Sequence, residues 1–267
     1  MSNQSGFDPA PLAAQLHAAW NTRIAIEPFS ESSAIENVEQ AYAVQQAWAD
    51  LRAAEGEVTI GRKIGLTSPG MQQQMGVGEP DYGDLWGSRH IDGSSGGADV
   101  SAGLFIQPRV EGEVAFLMGR GLQGPNITEA DVLAAADAAA LSIEIVDSRI
   151  QGWRIKLVDT VADNASYGAI VCGEWSEMLL HSDLAARSFS LALNGQTSVA
   201  ETGAAVLGSP LTAVAWLANK LSGLGIEIKA GDIVLSGSFG KAVPAAAGDL
   251  FVVASPNAGS LTVQITT

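Results

Sequence analysis

The sequence predicts an α+β protein in which a helical N-terminal region leads into a β-rich body. Three observations predict it. Apolar residues up to about residue 55 recur at three- to four-residue spacing, beyond residue 58 they come in short runs broken by glycine, and only two later stretches return to helical spacing.

The first helix is read from "DPAPLAAQLHAAW", with prolines at its start and Leu12, Leu16 and Trp20 on one face. A second follows Ser33, where Glu36 three residues on has the spacing of a capping box. In it Ala41, Val44, Trp48 and Leu51 share a face, and Gly56 supplies a stop. Strands are expected over 59–65, 112–119, 140–147, 168–173, 188–194, 232–236, 250–254 and 260–266, and a helix over 129–139. A last helix opens at Ser209-Pro210, a capping serine followed by proline, and closes near Gly223. The segment 90–103, "HIDGSSGGADVSAG", reads as the most flexible loop, although it is short for a linker. The organisation is therefore a helical region over 1–58 and one structural unit over 59–267.

Composition narrows the function. In 267 residues, 29 Asp+Glu against 14 Lys+Arg give a net charge of −15. That balance argues against nucleic acid and anionic membrane, both of which reward cations. No apolar run is long enough to span a bilayer, and "MSNQSGFDPAPL" lacks the basic and apolar stretches of an export signal. A single cysteine, Cys172, allows no internal disulfide and suits a reducing cytoplasm. Its setting, "GAIVCG", reads as a buried strand and an inert thiol.

Two acidic residues stand out in "PRVEGEVAFLMG" (108–119). Alternation along a strand puts Glu111 and Glu113 on one face and Val110, Gly112 and Val114 on the other. Like charges so placed repel unless a cation lies between them. In "AALSIEIVDSR", Glu144 lies beside Ser142 and Val146, opposite Leu141, Ile143 and Ile145. Three carboxylates on two core strands could hold a hard divalent ion such as Mg²⁺ or Mn²⁺. His17, His90 and His181 are scattered away from the cysteine, so a zinc site is not expected. The pattern alone leaves open alternating glutamates on a solvated strand.

"TIGRKIGLTSPGMQQQMGVGEPDYGDLW" (59–86) is the second informative stretch. Lys63 shares a strand face with Gly61 and Gly65, which clear space around it for a ligand. An ammonium there could bind an acidic substrate or move a proton, or it could be a surface lysine on an edge strand. Asp81 follows a proline in a turn-like setting, either projecting into a cleft or solvated. Other constellations fail. "SGSFGKA" has Leu235 and Ala242 where a phosphate-binding loop needs glycine and serine or threonine. No dinucleotide fingerprint follows a strand, and the six tryptophans read as core and interface anchors.

Taken in order, "GRKIGLTSPGMQQQMGVGEPDYG", "QPRVEGEVAF", "SIEIVDSRI", "VDTVADNAS", "LGSPLTAVAWLANKL" and "GDIVLSGSFGKAVPAAAGD" resemble the 2-hydroxypenta-2,4-dienoate (2-oxopent-4-enoate) hydratases of aromatic meta-cleavage pathways. These and the 4-oxalocrotonate decarboxylases make up part of the fumarylacetoacetate hydrolase superfamily. The resemblance runs from about residue 38 over most of the chain. It implies a β-rich mixed roll, a cytoplasmic homo-oligomer (pentamer or decamer), and a small 2-hydroxydienoate or 2-oxo acid substrate. It also implies Mg²⁺ or Mn²⁺ on Glu111, Glu113 and Glu144, with Lys63 and Asp81 as catalytic residues. Leu66, Ser166 and Ser238 fall in substrate-lining segments. Gly112 departs from the family, where a larger residue such as alanine is common at this position. The sister decarboxylation needs the same ligands and stays an alternative, as does a catalytically silent scaffold subunit. Hydrolysis of acylpyruvates is disfavoured because His90, the only histidine between 61 and 90, has no adjacent glutamate.

Overall fold

A computed structural model describes residues 6–68, 70, 72–73 and 76–267. The first five residues of the segment read for an export signal, and parts of the 68–76 stretch, lie outside the described residues. Helices α1 (Ala10–Thr22), α2 (Phe29–Ser32) and α3 (Val38–Ala54) open the chain. Among the described residues thirteen strands follow: β1 Thr59–Gly65, β2 Asp81–Trp86, β3 His90–Asp92, β4 Gly97–Ser101, β5 Arg109–Met118, β6 Ala136–Val146, β7 Tyr167–Cys172, β8 Ser188–Leu193, β9 Gln196–Thr202, β10 Ile233–Leu235, β11 Val243–Pro244, β12 Leu250–Ser255 and β13 Gly259–Thr266. They form two sheets. The larger has the order β2-β1-β10-β5-β6-β7-β3, with β11 paired to β5, and the smaller has β4-β13-β12-β8-β9.

Alternation along β5 and β6 divides the core. Val110, Val114, Phe116, Ile143 and Ile145 face the smaller sheet and pack with Phe251, Val253, Val263 and Ile265. The helix Pro210–Ser222, capped by Ser209 as expected, buries Val214, Leu217 and Leu221 in the same layer. Gly112 belongs to this face too: a β-carbon on it would meet Val253 Cγ2 at 3.1 Å. The opposite face carries Ala115, Leu235, Ile170 and Cys172, and α1 and α3 cover it. Trp20, Trp48 and Trp86 meet there edge to face, with centroids 4.9–6.0 Å apart. Gln45 of α3 donates to Tyr82 O and Val161 O at 3.0 and 2.9 Å, fixing the helix over the sheet. Cys172 is buried, and burial pushes its thiol up to about 12, so it is inert.

Four expectations are corrected. The helix expected from Ser33 begins at Val38. Asn37 caps it by accepting from Gln40 N at 2.9 Å, while Ser33 ends α2 in a left-handed conformation. Leu51, expected on the buried face of that helix, is 38% exposed. The helix expected to reach 139 stops at Ala135. Ala136–Ala140 extend β6 because β5 offers ladder partners as far as Met118↔Ala136, and pairing overrides the helix preference of alanine. The "flexible" 90–103 segment holds β3 and β4, paired in parallel with β7 and β13. Its glycines serve close approach: a β-carbon on Gly97 would lie 2.8 Å from Thr262 O, and one on Gly93 would lie 2.9 Å from Cys172 O.

Trp48 is fully buried and bridges α3 to the sheet through Trp20 and Trp86. Trp48→Ala is expected to cost about 3–5 kcal/mol of unfolding free energy, the usual range for truncating a buried aromatic. Urea denaturation checks it, and a midpoint equal to the parent's would refute it.

Candidate metal centre and active site

The site grows out of the helix-covered face of the larger sheet. Glu111 and Glu144 are direct cross-strand partners, and Glu113 faces Ser142 on the same ladder. Among the described residues, Glu111, Glu113 and Glu144 form one group whose ligand atoms all lie within 4.8 Å of one another. They are 8%, 0% and 0% exposed. Where β10 ends, the chain turns so that Gly237 N donates to Glu113 Oε2 at 2.9 Å, and Phe239 N donates to Gly112 O at 3.2 Å.

Lys63 is 3% exposed. It is not on an edge strand: β1 lies between β2 and β10. Its ammonium donates to Ala165 O at 2.9 Å and forms an ion pair with Glu144 Oε1 at 3.1 Å. Burial alone would lower its pKa, but the charges of Glu144, Glu111, Asp81 and Glu113 outweigh burial and raise it. Asp81 is not in a turn. It opens β2, pairs with Gly65 and is 2% exposed. The space beside Gly65 is filled by this carboxylate, since a β-carbon there would sit 2.2 Å from Asp81 Oδ1. Gly61 likewise clears neighbouring backbone, with a β-carbon falling 1.8 Å from Ile233 O. The glycines thus admit other parts of the protein to Lys63, which the sequence could not distinguish from room for a ligand.

Four carboxyls therefore surround one ammonium, leaving three negative charges uncompensated if all are ionised. Burial, then mutual repulsion, pushes Glu111 up to about 7 and Glu113 well above the usual range. Glu144 is raised by burial against the pull of Lys63, and Asp81 by burial likewise. Glu113 Oε1, Glu144 Oε2, Asp81 Oδ1 and the hydroxyl of Ser142 are buried without a hydrogen-bond partner. Unpaired buried charge costs several kcal/mol per ion, so an all-oxygen donor set with orphaned atoms fits a hard divalent cation. Ser142 could have been found by alternation from Glu144. Ala165 O and Gly237 N carried no signal in the sequence.

Of the expected substrate-lining residues, Leu66 follows β1 with φ +57°, an uncommon conformation for leucine, and its carbonyl accepts from Gln72 Nε2 at 2.8 Å. Ser166 is buried and its hydroxyl lies 3.3 Å from Thr160 Oγ1. Ser238 is buried beside Gly237, and its hydroxyl is committed to Gly240 O at 2.8 Å. His90 is exposed at the start of β3. An open cleft of about 600 Å³ lined by Ser30, Glu36, Val77, Lys156 and neighbours contains none of these residues, and the orphaned carboxylates mark the chemistry better than its size does.

A two-sheet roll with a buried acidic triad beside a lysine defines a class of protein with a metal-binding carboxylate centre. Residues 94–266 match the model of the fumarylacetoacetate (FAA) hydrolase C-terminal family. The chain belongs to the fumarylacetoacetate hydrolase family. It is 44% identical over 252 residues to a 2-hydroxyhexa-2,4-dienoate hydratase of Comamonas testosteroni, covering 94% of this chain and 95% of that one. It is 42% identical over 261 residues to 2-keto-4-pentenoate hydratase 1 of Dechloromonas aromatica, covering 98% of each. Among solved structures, a 4-oxalocrotonate decarboxylase from Pseudomonas putida G7, complexed with magnesium and adipate, superposes with a TM-score of 0.90 at 31% identity. That match covers 96% of this chain and 97% of the other. The roll expected from the sequence is thus the observed fold.

The raised carboxyls set a pH dependence for the metal-free protein. Glu111 is raised from 4.5 to about 7, so its contribution is fully present below pH 4.5 and is lost as pH rises through about 7, and the other raised carboxyls act in the same direction. Mg²⁺ at about a hundredfold excess over its Kd is expected to raise Tm by about 5–10 °C at pH 8, and by less at pH 5 where protons compete. Glu113→Gln should shrink the pH 8 shift. Differential scanning calorimetry of the metal-stripped protein checks all three.

Proposed function

We propose that the chain is a divalent-metal-dependent hydratase. It adds water to a 2-hydroxypenta-2,4-dienoate-type substrate, through the 2-oxo tautomer, to give a 4-hydroxy-2-oxo acid in aromatic meta-cleavage catabolism. The buried Glu111–Glu113–Glu144 triad beside Lys63 carries the reading, and the likeness to named hydratases over nearly the whole chain supports it. Mg²⁺ or Mn²⁺ held by the triad would supply Lewis-acid polarisation of the substrate's 2-oxygen.

The protein groups divide the remaining work. Lys63, its pKa raised by four carboxyls, stays an ammonium and stabilises negative charge as it develops on the substrate oxygen. Asp81, with an unpartnered oxygen and a raised pKa, suits proton transfer. The proton leaving the 2-hydroxyl is balanced by one gained at C5. Water then delivers its oxygen to C4 and a proton to C3. Gly237 N holds Glu113 in place throughout. The left-handed Leu66 and the buried Ser166 and Ser238 are assigned to the substrate's surroundings.

A homo-oligomer in the cytoplasm is part of the same reading. Among the described residues no helix is long and apolar enough to cross a membrane. Light scattering tests the assembly. Decarboxylation of 4-oxalocrotonate is the second reading, favoured by the likeness to the decarboxylase structure.

Loss of dienoate absorbance, with products identified by mass, decides between them: a 4-hydroxy-2-oxo acid for hydration, CO₂ for decarboxylation. Activity should vanish in EDTA and return with Mg²⁺ or Mn²⁺. Lys63→Met should lower kcat on the order of 10²- to 10³-fold, as when one preorganised stabilising donor is removed. Full turnover by protein shown to contain no metal would overturn the proposal.

A further inference from the structure

The segment between β6 and β7 does more than connect strands. Asn164, Ala165 and Ser166 adopt φ of +54°, +49° and +55°, three successive non-glycine residues in the left-handed region. Such a run persists only where its surroundings hold it. Its product is one contact: the carbonyl of the middle residue, Ala165, accepts from Lys63 Nζ at 2.9 Å. That contact opposes the attraction of Lys63 to the carboxylates, of which Glu144 already holds it at 3.1 Å.

Two features place the carbonyl. The Asn164 side chain pairs with the backbone of Asp84 on β2 as a strand would, accepting from Asp84 N at 2.7 Å and donating to Asp84 O at 2.9 Å. Gly83, the direct partner of Lys63 on β2, lets the loop descend onto the strand, since a β-carbon there would lie 2.6 Å from Asn164 O. From below, Asp163 anchors the loop. Its carbonyl accepts from Ser166 N at 3.0 Å, and its carboxylate binds Arg149, Nε to Oδ1 at 2.5 Å, in a fully buried pair.

We propose that Asn164 is a positioning residue for Lys63: its amide clamp on Asp84, admitted by Gly83, holds the Ala165 carbonyl that fixes the ammonium between this loop and Glu144. This rests on the catalytic assignment of Lys63 made above, but the placement of the ammonium can be read without activity.

Asn164→Ala removes both amide bonds and disfavours the left-handed turn. It is expected to lower kcat on the order of 10- to 100-fold, as for displacement of a catalytic group by an ångström or less. KM and Mn²⁺ affinity by calorimetry should stay near parental values, which a general loss of structure would not leave unmoved. In its crystal structure Lys63 Nζ should lie beyond 3.5 Å from Ala165 O. Asn164→Asp, which keeps the acceptor and loses the donor, should fall between parent and Asn164→Ala. It serves as the test if the alanine variant does not fold, and Gly83→Ala should reproduce the kcat loss from the opposite side. An unchanged Lys63–Ala165 contact in the variants, or kcat within twofold of the parent, overturns the proposal. A parent inactive on every dienoate overturns the hydratase reading instead, and the crystallographic distance still decides the positioning role.

Discussion

The structure depends on burying more carboxylates than its one neighbouring ammonium, Lys63, can neutralise. Glu111, Glu113 and Glu144 occupy the interior of a sheet, with one ammonium to share between them and Asp81. They are buried, so each ionised oxygen without a partner destabilises the fold. The sheet keeps them together because each is fixed by ladder register: Glu111 opposite Glu144, Glu113 opposite Ser142. The electrostatic cost is concentrated at one group of carboxylates that could hold a cation.

The rest of the architecture serves that arrangement. One face of β5 and β6 is apolar and packs on the smaller sheet, which makes the register of the other face non-negotiable: a one-residue slip would send glutamates into the main core. The helices that close the second face fill it with Trp20, Trp48 and Trp86. Arg149 lies within 5.6 Å of the Trp20 and Trp48 rings and also grips Asp163, so the aromatic cluster and the left-handed loop at Lys63 share one buried cation.

Backbone conformation supplies what side-chain chemistry alone does not. Gly65 and Gly83 leave room for Asp81 and for Asn164, and the left-handed Leu66 and 164–166 turns aim carbonyls rather than side chains. These are costs borne at the site and offset by hydrogen bonds around it, among them the amide clamp on Asp84.

Much of this was legible in the amino-acid order, because strand alternation is a local property. Period-two spacing alone put Glu111 and Glu113 on one face and Glu144 with Ser142, and the shortage of histidine and cysteine pointed to a hard cation. The helix at Ser209-Pro210 was equally readable from its cap. What could not be read depended on partners distant in the chain. β3 and β4 hid in a glycine-rich segment because their pairs lie near residues 170 and 262, and Ala136–Ala140 looked helical until β5 supplied a ladder. Lys63 could be singled out but not placed, since its burial follows from β2 and β10 on either side of it. The sequence by itself determined which chemical groups are present and which face of a strand each takes. Only the tertiary structure decided that Lys63, Asp81 and three glutamates from four strands meet in one buried space, because register between distant strands is set by packing the whole core.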